Sequence, residues 1–366
     1  MAKNADDTLY LLLHGLKKEE IIRFTRQFAT LLNGGINLVE SLNALSQQMD
    51  HNYFKGVLSE VIGDVKSGKT LHVSLKRHPR VFSRLYSSLV EAGEAGGFLP
   101  DVLKKLSVYM EKEEAIKTRI KSAVRIPLFT LAFAICLIIF LLYWLVPQLQ
   151  GFYGDLPLPG LTLVIISVSD FVQKNIVSIL TIIIGIIIFL IICRKTKSGA
   201  YLFDSVMLKL PVIGDLTKKT IIARITLTLG TLFASGVNIL DSLDITSRTA
   251  GNLVIQQAVT KVRKDVSEGS ELAGALAETK IFPPMVMQMI GAGEKSGSLD
   301  EMLAKINEFY EIEVDNSVDS LTSALGVIVT VLIGVFVGLI VIGMFLPIFN
   351  LGSVMDQVDQ ARNATG

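Results

Sequence analysis

Two hydrophobic rhythms share this chain. Around residues 21–32 apolar side chains recur at three- and four-residue steps (Ile21, Phe24, Phe28, Leu31, Leu32), and the same spacing returns at Ile225, Leu229, Leu232 and Phe233. It predicts amphipathic helices with one face turned to a core. Elsewhere charge disappears over stretches long enough to supply the ~20 residues that ~30 Å of hydrocarbon requires. Three such spans are expected: 126–146, closed by Pro147; 175–193, between Lys174 and Arg194; and 324–347, inside a charge-free run and ending near Pro347. Residues 161–168 are also apolar, but the run is too short to cross and Asp170 follows it. Residues 161–173 are therefore read as an interfacial helix or an outward extension of the second span. No strand-like alternation occurs, so the expected class is all-α.

The helical pattern occurs twice. Residues 24–42 align with 225–243 at an offset of 201, with Thr25, Thr30, Leu31, Gly35, Asn37, Ser41 and Leu42 recurring as Thr226, Thr231, Leu232, Gly236, Asn238, Ser242 and Leu243. A second block, 90–99, matches 290–299 at an offset of 200, and Pro147 matches Pro347. A soluble module joined to a membrane helix is thus used twice, with the second span inserted between the copies. Gly35 and Gly236 read as helix stops, while Asn37 with Glu40, and Asn238 with Asp241, read as N-caps of the next helix. About six helices are expected per copy, the last running from near Asp101 or Asp300 into a span.

The expected order is a leader (1–22), a first cytoplasmic helical bundle (23–122), the first span, a periplasmic hairpin (147–174), the second span, a second cytoplasmic bundle (194–320), the third span and a short periplasmic tail (348–366). Orientation follows from Lys117, Arg119, Lys121, Arg125, Arg194, Lys195 and Lys197 beside the spans, since basic flanks stay in the cytoplasm. The start carries Asp6 and Asp7 beside only a short apolar stretch, which does not read as a cleaved signal peptide.

Composition narrows the chemistry. Half the residues are hydrophobic and mean hydropathy is +0.52, as a membrane protein requires. A net charge of +1 leaves no global basic field to hold nucleic acid. Cys136 and Cys193 both lie in apolar runs, which excludes a disulfide framework and a cysteine-rich zinc site. The span cores carry no Asp, Glu, Lys, Arg or His, although carriers place such groups at midplane despite a cost of about 2.5–3.5 kcal/mol each. The third span instead shows Gly334 and Gly338 in a G-x-x-x-G register, with Gly326 and Gly343 beyond. Such a face admits another helix, from this chain or a second copy.

Residues 63–70 are a literal G-x-x-x-x-G-K-[ST] match containing Lys69, but a phosphate loop must follow a buried strand, whereas 53–65 reads as an amphipathic helix with Gly68 as its terminator. His14, His51, His72 and His78 show no metal-binding spacing. The most specific local signal is a glycine–glutamate turn: Glu91, Gly93, Glu94 and Gly97 in the first copy, and Gly293, Glu294 and Gly297 in the second. The glycines permit φ > 0 and close helix approach, and each glutamate is expected to accept backbone N–H groups at the start of the following helix; a partner or ion contact is the alternative. Residues 1–125 carry 19 basic and 14 acidic side chains, against 14 and 16 in 194–320, so the copies face different surroundings. Lys66, Lys69, Lys76, Arg77, Arg80 and Arg84 form a basic patch, suited to lipid headgroups, an acidic protein or plain solvation.

Together, the duplication, the Leu32–Leu42 and Phe233–Leu243 blocks, the Gly93–Leu99 and Gly293–Leu299 turns and the three spans in this order resemble the PilC/GspF group of inner-membrane platform proteins from type IV pilus and type II secretion machines. The first turn has Ala95 and Gly96 where the second has Lys295 and Ser296. The resemblance implies a non-enzymatic platform without cofactor or metal, oligomeric and lipid-embedded. It would couple a hexameric assembly ATPase to insertion of pilin or pseudopilin helices into a filament, beside other inner-membrane assembly proteins. Two rival classes predict other things: a nucleotide hydrolase needs a nucleotide site at Lys69, and a small-solute transporter needs a polar membrane path.

Overall fold

In the computed structural model, residues 16–153, 158–211 and 213–364 are described; most of the expected leader, His14 included, lies outside them. The described chain is helical and strand-free. The first copy runs α1 (Lys18–Asn33), α2 (Leu38–Gln48), α3 (Asn52–Lys66), α4 (Leu71–Lys76), α5 (Arg84–Gly96) and α6 (Leu99–Phe140). A π-helical segment (Leu141–Leu145), α7 (Val146–Tyr153), α8 (Gly160–Lys195) and α9 (Lys197–Lys209) follow. The second copy repeats the order as α10 (Ile213–Ala234), α11 (Ile239–Thr249), α12 (Leu253–Ser267), α13 (Leu272–Glu278), α14 (Pro284–Ser296) and α15 (Leu299–Ala364). Among the described residues, three helical stretches are long and apolar enough to cross a membrane: Leu99–Gly151, Gly160–Lys195 and Leu299–Phe349. Because α8 is continuous from Gly160, residues 161–173 are an extension of the second span rather than a separate interfacial helix.

The chain divides into two compact units. The first comprises 1–119 with 201–317, so both copies of the soluble module share it; the second comprises 120–200 with 318–366. In the first unit an aromatic cluster anchors the core: the Phe24 ring lies 5.5 Å from Phe28, 5.3 Å from Phe54 and 6.3 Å from Phe82, and the Tyr86 ring, tilted by 56°, lies 4.9 Å from Phe82. Full burial of each such ring is worth roughly 1.5–3 kcal/mol. Leu227, Leu232 and Ile245 of the second copy are buried in that same core. The two copies are therefore fused by hydrophobic packing.

The second unit differs from the expectation at both prolines. Neither Pro147 nor Pro347 ends its helix: the backbone continues to Tyr153 in one case and Ala364 in the other. A proline inside a helix removes an N–H and frees a carbonyl, and α8 supplies the missing donors. In the π segment Val146 N–H reaches back to Leu141 O. The next carbonyl in that register, Leu142 O, would need the N–H that Pro147 lacks, and Ser169 Oγ donates to it. In α15 the carbonyl four residues before Pro347 is Gly343 O, and Thr162 Oγ1 donates to that one. Thr162 and Ser169 are both fully buried and lie two turns apart on one face of α8. Around them Leu142, Val146, Ile165, Ile166, Ile340 and Met344 form the apolar core of this unit.

Candidate functional site at the junction of the two copies

The repeated turns are built identically, from backbone upward. Gly35 (φ 80°) and Gly236 (φ 75°) take the left-handed conformation, letting Ile36 N–H reach Leu31 O at 3.1 Å and Val237 N–H reach Leu232 O at 3.0 Å. Each closes its helix with a 6→1 bond. Asn37 Oδ1 then accepts from Glu40 N–H (2.8 Å) and Asn238 Oδ1 from Asp241 N–H (2.9 Å), capping α2 and α11 as the spacing predicts.

The glycine–glutamate turns follow the same logic, with one correction. Gly97 (φ 74°) and Gly297 (φ 72°) end α5 and α14. A Cβ on Gly93 would sit 3.1 Å from Leu99 Cα, and one on Gly293 3.0 Å from Leu299 Cα, so these glycines permit the close approach of the next helix. The glutamates, however, reach backward. Glu94 accepts from Leu71 N–H (2.6 Å) and His72 N–H (2.9 Å), and Glu294 from Leu272 N–H (2.7 Å) and Ala273 N–H (3.1 Å). They satisfy the first turns of α4 and α13, the preceding short helices, rather than the following ones. Neither Thr70 nor Glu271 caps its helix with its own side chain, so the orphan donors there need an acceptor from elsewhere. His72 Nδ1 lies 2.6 Å from Glu94 Oε2, and Nε2 lies 3.9 Å from Glu91; nothing in the spacing of the chain signals that cluster.

The first copy packs against the second through opposite charges. Arg84 pairs with Asp244 at 2.9 Å and Lys112 with Glu311 at 2.8 Å, while Arg119 pairs with Asp315 and Lys105 donates to Ala234 O at the end of α10. Tyr109 Oη meets Thr228 Oγ1 at 3.2 Å, and burial there pushes the tyrosine pKa up to about 12. The charge asymmetry between the copies thus has a structural cause: part of it is used where they face each other. Beside these contacts lies a cleft of ≈ 630 Å³ lined by Lys76, Arg84, Glu91, Gly236, Asn238 and Asp241, among others. It joins members of the three motif groups from both copies. Gly35, Asn37, Glu40, Gly293, Glu294 and Gly297 do not line it, and neither do Lys66, Lys69, Arg77 and Arg80. A second cleft, ≈ 730 Å³, opens between α6, α10 and α15.

The basic patch is less free than its sequence suggests. Lys69 (2.8 Å) and Arg77 both bind Asp64, and these hydrogen bonds hold the Asp64 carboxyl below its ordinary pKa. Arg84 is committed to Asp244, so Lys69, Arg77 and Arg84 each have an acidic partner. The stretch 63–70 is the end of α3: Gly68 (φ 92°) terminates it and Lys69 N–H returns to Asp64 O at 3.1 Å. Gly269 ends α12 in the same way, and no strand precedes either. Among the described residues no group of three or more His, Cys, Asp or Glu is arranged to hold a metal ion.

Among the described residues nothing outside their own helix turns lies within 4 Å of a notional Cβ on Gly334 or Gly338. The intrachain approach is made by Gly343 instead, where a Cβ would overlap Ile165 and lie 3.3 Å from Leu161.

Known proteins are similar in sequence over both copies. The family described as Type II secretion system (T2SS), protein F matches residues 24–147 and again 225–347, one match per copy. A type IV pilus assembly protein PilC of Myxococcus xanthus is 41% identical over 93% of this chain and 82% of its own. The PilC of Thermus thermophilus is 39% identical over 92% and 83%. A type II secretion system protein F of Xanthomonas campestris is 33% identical over 90% and 82%. With both copies matched and most of the chain aligned, this protein belongs to the PilC/GspF family of type IV pilus and type II secretion proteins.

Proposed function

We propose that this chain is the inner-membrane assembly platform of a type IV pilus, coupling a cytoplasmic hexameric ATPase to the insertion of pilin subunits into a growing filament. One observation carries the reading: two copies of a helical module are fused into one polar unit, and a helix of each, α6 and α15, also contributes a membrane-length apolar segment. Such a unit offers a motor a single surface, and its helices lead to where filament subunits reside. Relatives named for pilus assembly share 41% and 39% identity, against 33% for the secretion relative above, which favours a pilus over a secretion pseudopilus. The basic flanks of the spans assign the first unit and the amino end to the cytoplasm and the carboxyl end to the periplasm. The turn glutamates, the basic residues and the cleft are candidate contacts for those partners.

Because Leu227, Leu232 and Ile245 complete the first copy's core, isolated copies would expose apolar surface, and the test uses the full chain. Purified in detergent, it should retain the hexameric assembly ATPase of the same pilus machine; absence of binding under conditions where both are folded would count against the coupling. Cysteines at exposed Lys66 and Lys264 should react with an impermeant maleimide only in inverted vesicles. Labelling from opposite sides would end the shared-motor reading.

A further inference from the structure

A single residue, Thr196, separates the second span from α9. Thr196 Oγ1 donates to Cys193 O at 2.8 Å at the end of α8 and accepts from Gly199 N–H at 3.2 Å in the first turn of α9, so one side chain closes one helix and caps the next. A Cβ on Gly199 would overlap Cys193 O, and the glycine thus keeps the turn tight. Exposure along α9 then follows the helical period. Gly199, Ala200, Phe203, Asp204, Met207 and Leu208 are half-buried, while Tyr201, Leu202, Val206 and, just past the helix end, Leu210 are 38%, 65%, 55% and 39% exposed. Leu202 is as bare as Ile182 within the span itself, at 61%. A helix apolar on both faces is buried on both; the protein covers one here, and the other is left for a different apolar surface. The one acid of α9, Asp204, is turned inward, where its carboxylate accepts from Leu253 N–H at 2.7 Å. Basic residues frame the helix, with Arg194 and Lys195 before the turn and Lys197 and Lys209 at its two ends. An apolar face with flanking lysines and no outward acid suits the plane of lipid headgroups, and α9 starts where the chain leaves the hydrocarbon.

We propose that the outward face of α9, with Leu202 and Val206 at its centre, lies in the boundary between headgroups and acyl chains of the leaflet at the Lys195 end of the second span, its flanking lysines against lipid phosphates. The second copy is thereby held to the bilayer by a lipid contact as well as by its spans. The contact needs no ATPase, pilin or second chain, so its failure would leave the platform reading standing.

The test is tryptophan fluorescence of the full chain in nanodiscs of phosphatidylethanolamine and phosphatidylglycerol. Trp144, the chain's one tryptophan, is changed to Phe, and Leu202→Trp, Val206→Trp and, as an exposed control, Lys264→Trp are made singly in that background. Lipids brominated on their acyl chains should quench emission from positions 202 and 206 and leave position 264 unchanged, whereas aqueous iodide should quench 264 and spare the other two. Iodide quenching at 202 and 206 equal to that at 264 would overturn the proposal. Shielding from iodide without quenching by brominated lipid would overturn it as well, because it would place protein rather than lipid on this face.

Discussion

Where the first copy fills its core with Phe24, Phe28, Phe54 and Tyr86, the second has Ile225, Leu229, Ile255 and Val286 at the matching positions, all buried. The hydrogen bond between Thr25 and Tyr86 (3.2 Å) has no counterpart, since Val286 carries no hydroxyl. The turns, in contrast, are the same atom for atom: a left-handed glycine, a 6→1 bond, an asparagine cap, a backward-reaching glutamate. Cores tolerate any apolar set of suitable volume and pattern, whereas a positive φ or an orphan N–H accepts only one or two residue types. Divergence has run through the part of the module held by volume and stopped at the part held by geometry.

The largest expected effect tests that equivalence at the glutamates. Glu294→Ala leaves two N–H groups of α13 without their charged acceptor, a loss of about 2–3 kcal/mol, read as reduced stability in equilibrium unfolding of the detergent-solubilised protein. Glu94→Ala should cost more, because the His72 imidazole loses its partner as well. Adding His72→Ala to both backgrounds should bring the two losses together. Equal losses before that change would mean that the imidazole contributes nothing and that the turns are energetically identical.

A smaller effect separates the two prolines, which match in the repeat and are rescued differently. Removing the Ser169 hydroxyl (Ser169→Ala) should cost about 0.6 kcal/mol, the average for hydrogen bonds between membrane helices, and no more than about 1.7 kcal/mol. In a Pro147→Ala background, where residue 147 again has an N–H for the freed carbonyl, the same change should cost less. Thr162→Val should couple in the same way to Pro347→Ala and show no coupling to Pro147→Ala. Crossed coupling would mean that the hydroxyls do not act on the carbonyls assigned to them.

The chain's local chemistry was legible in advance, and its long-range chemistry was not. Helix order, glycine stops and asparagine caps depend on residues three or four apart, and spacing exposes them. The prolines read as ends because the donors that let their helices continue, Ser169 and Thr162, lie 27 and 181 residues from the carbonyls they satisfy. The glutamates read as facing forward because the short helices behind them lack caps of their own, a deficit that only the fold reveals. The charge difference between the copies was visible, but not that Arg84 and Lys112 would spend it on Asp244 and Glu311.

The smallest effect concerns the patch in which the copies differ most in charge. Lys69 and Arg77 lower the Asp64 pKa below its ordinary 3.8, so a deprotonated Asp64 is favoured by folding. The sign follows from linkage: the contribution is fully present above the unfolded-state pKa and fades as pH falls through the lowered folded-state value. Lys69 and Arg77 are exposed to solvent, so the effect should be slight and screened by salt. Asp64→Asn should therefore flatten a shallow acid limb of the stability profile below about pH 4, and the difference from wild type should shrink in high salt. In the second copy Asp265 stands at the same helix end, and Ser270 and Glu278 occupy the positions that correspond to Lys69 and Arg77. Asp265→Asn should leave the acid limb unchanged; an equal flattening from both variants would trace the limb to the helix ends themselves rather than to the first copy's basic patch.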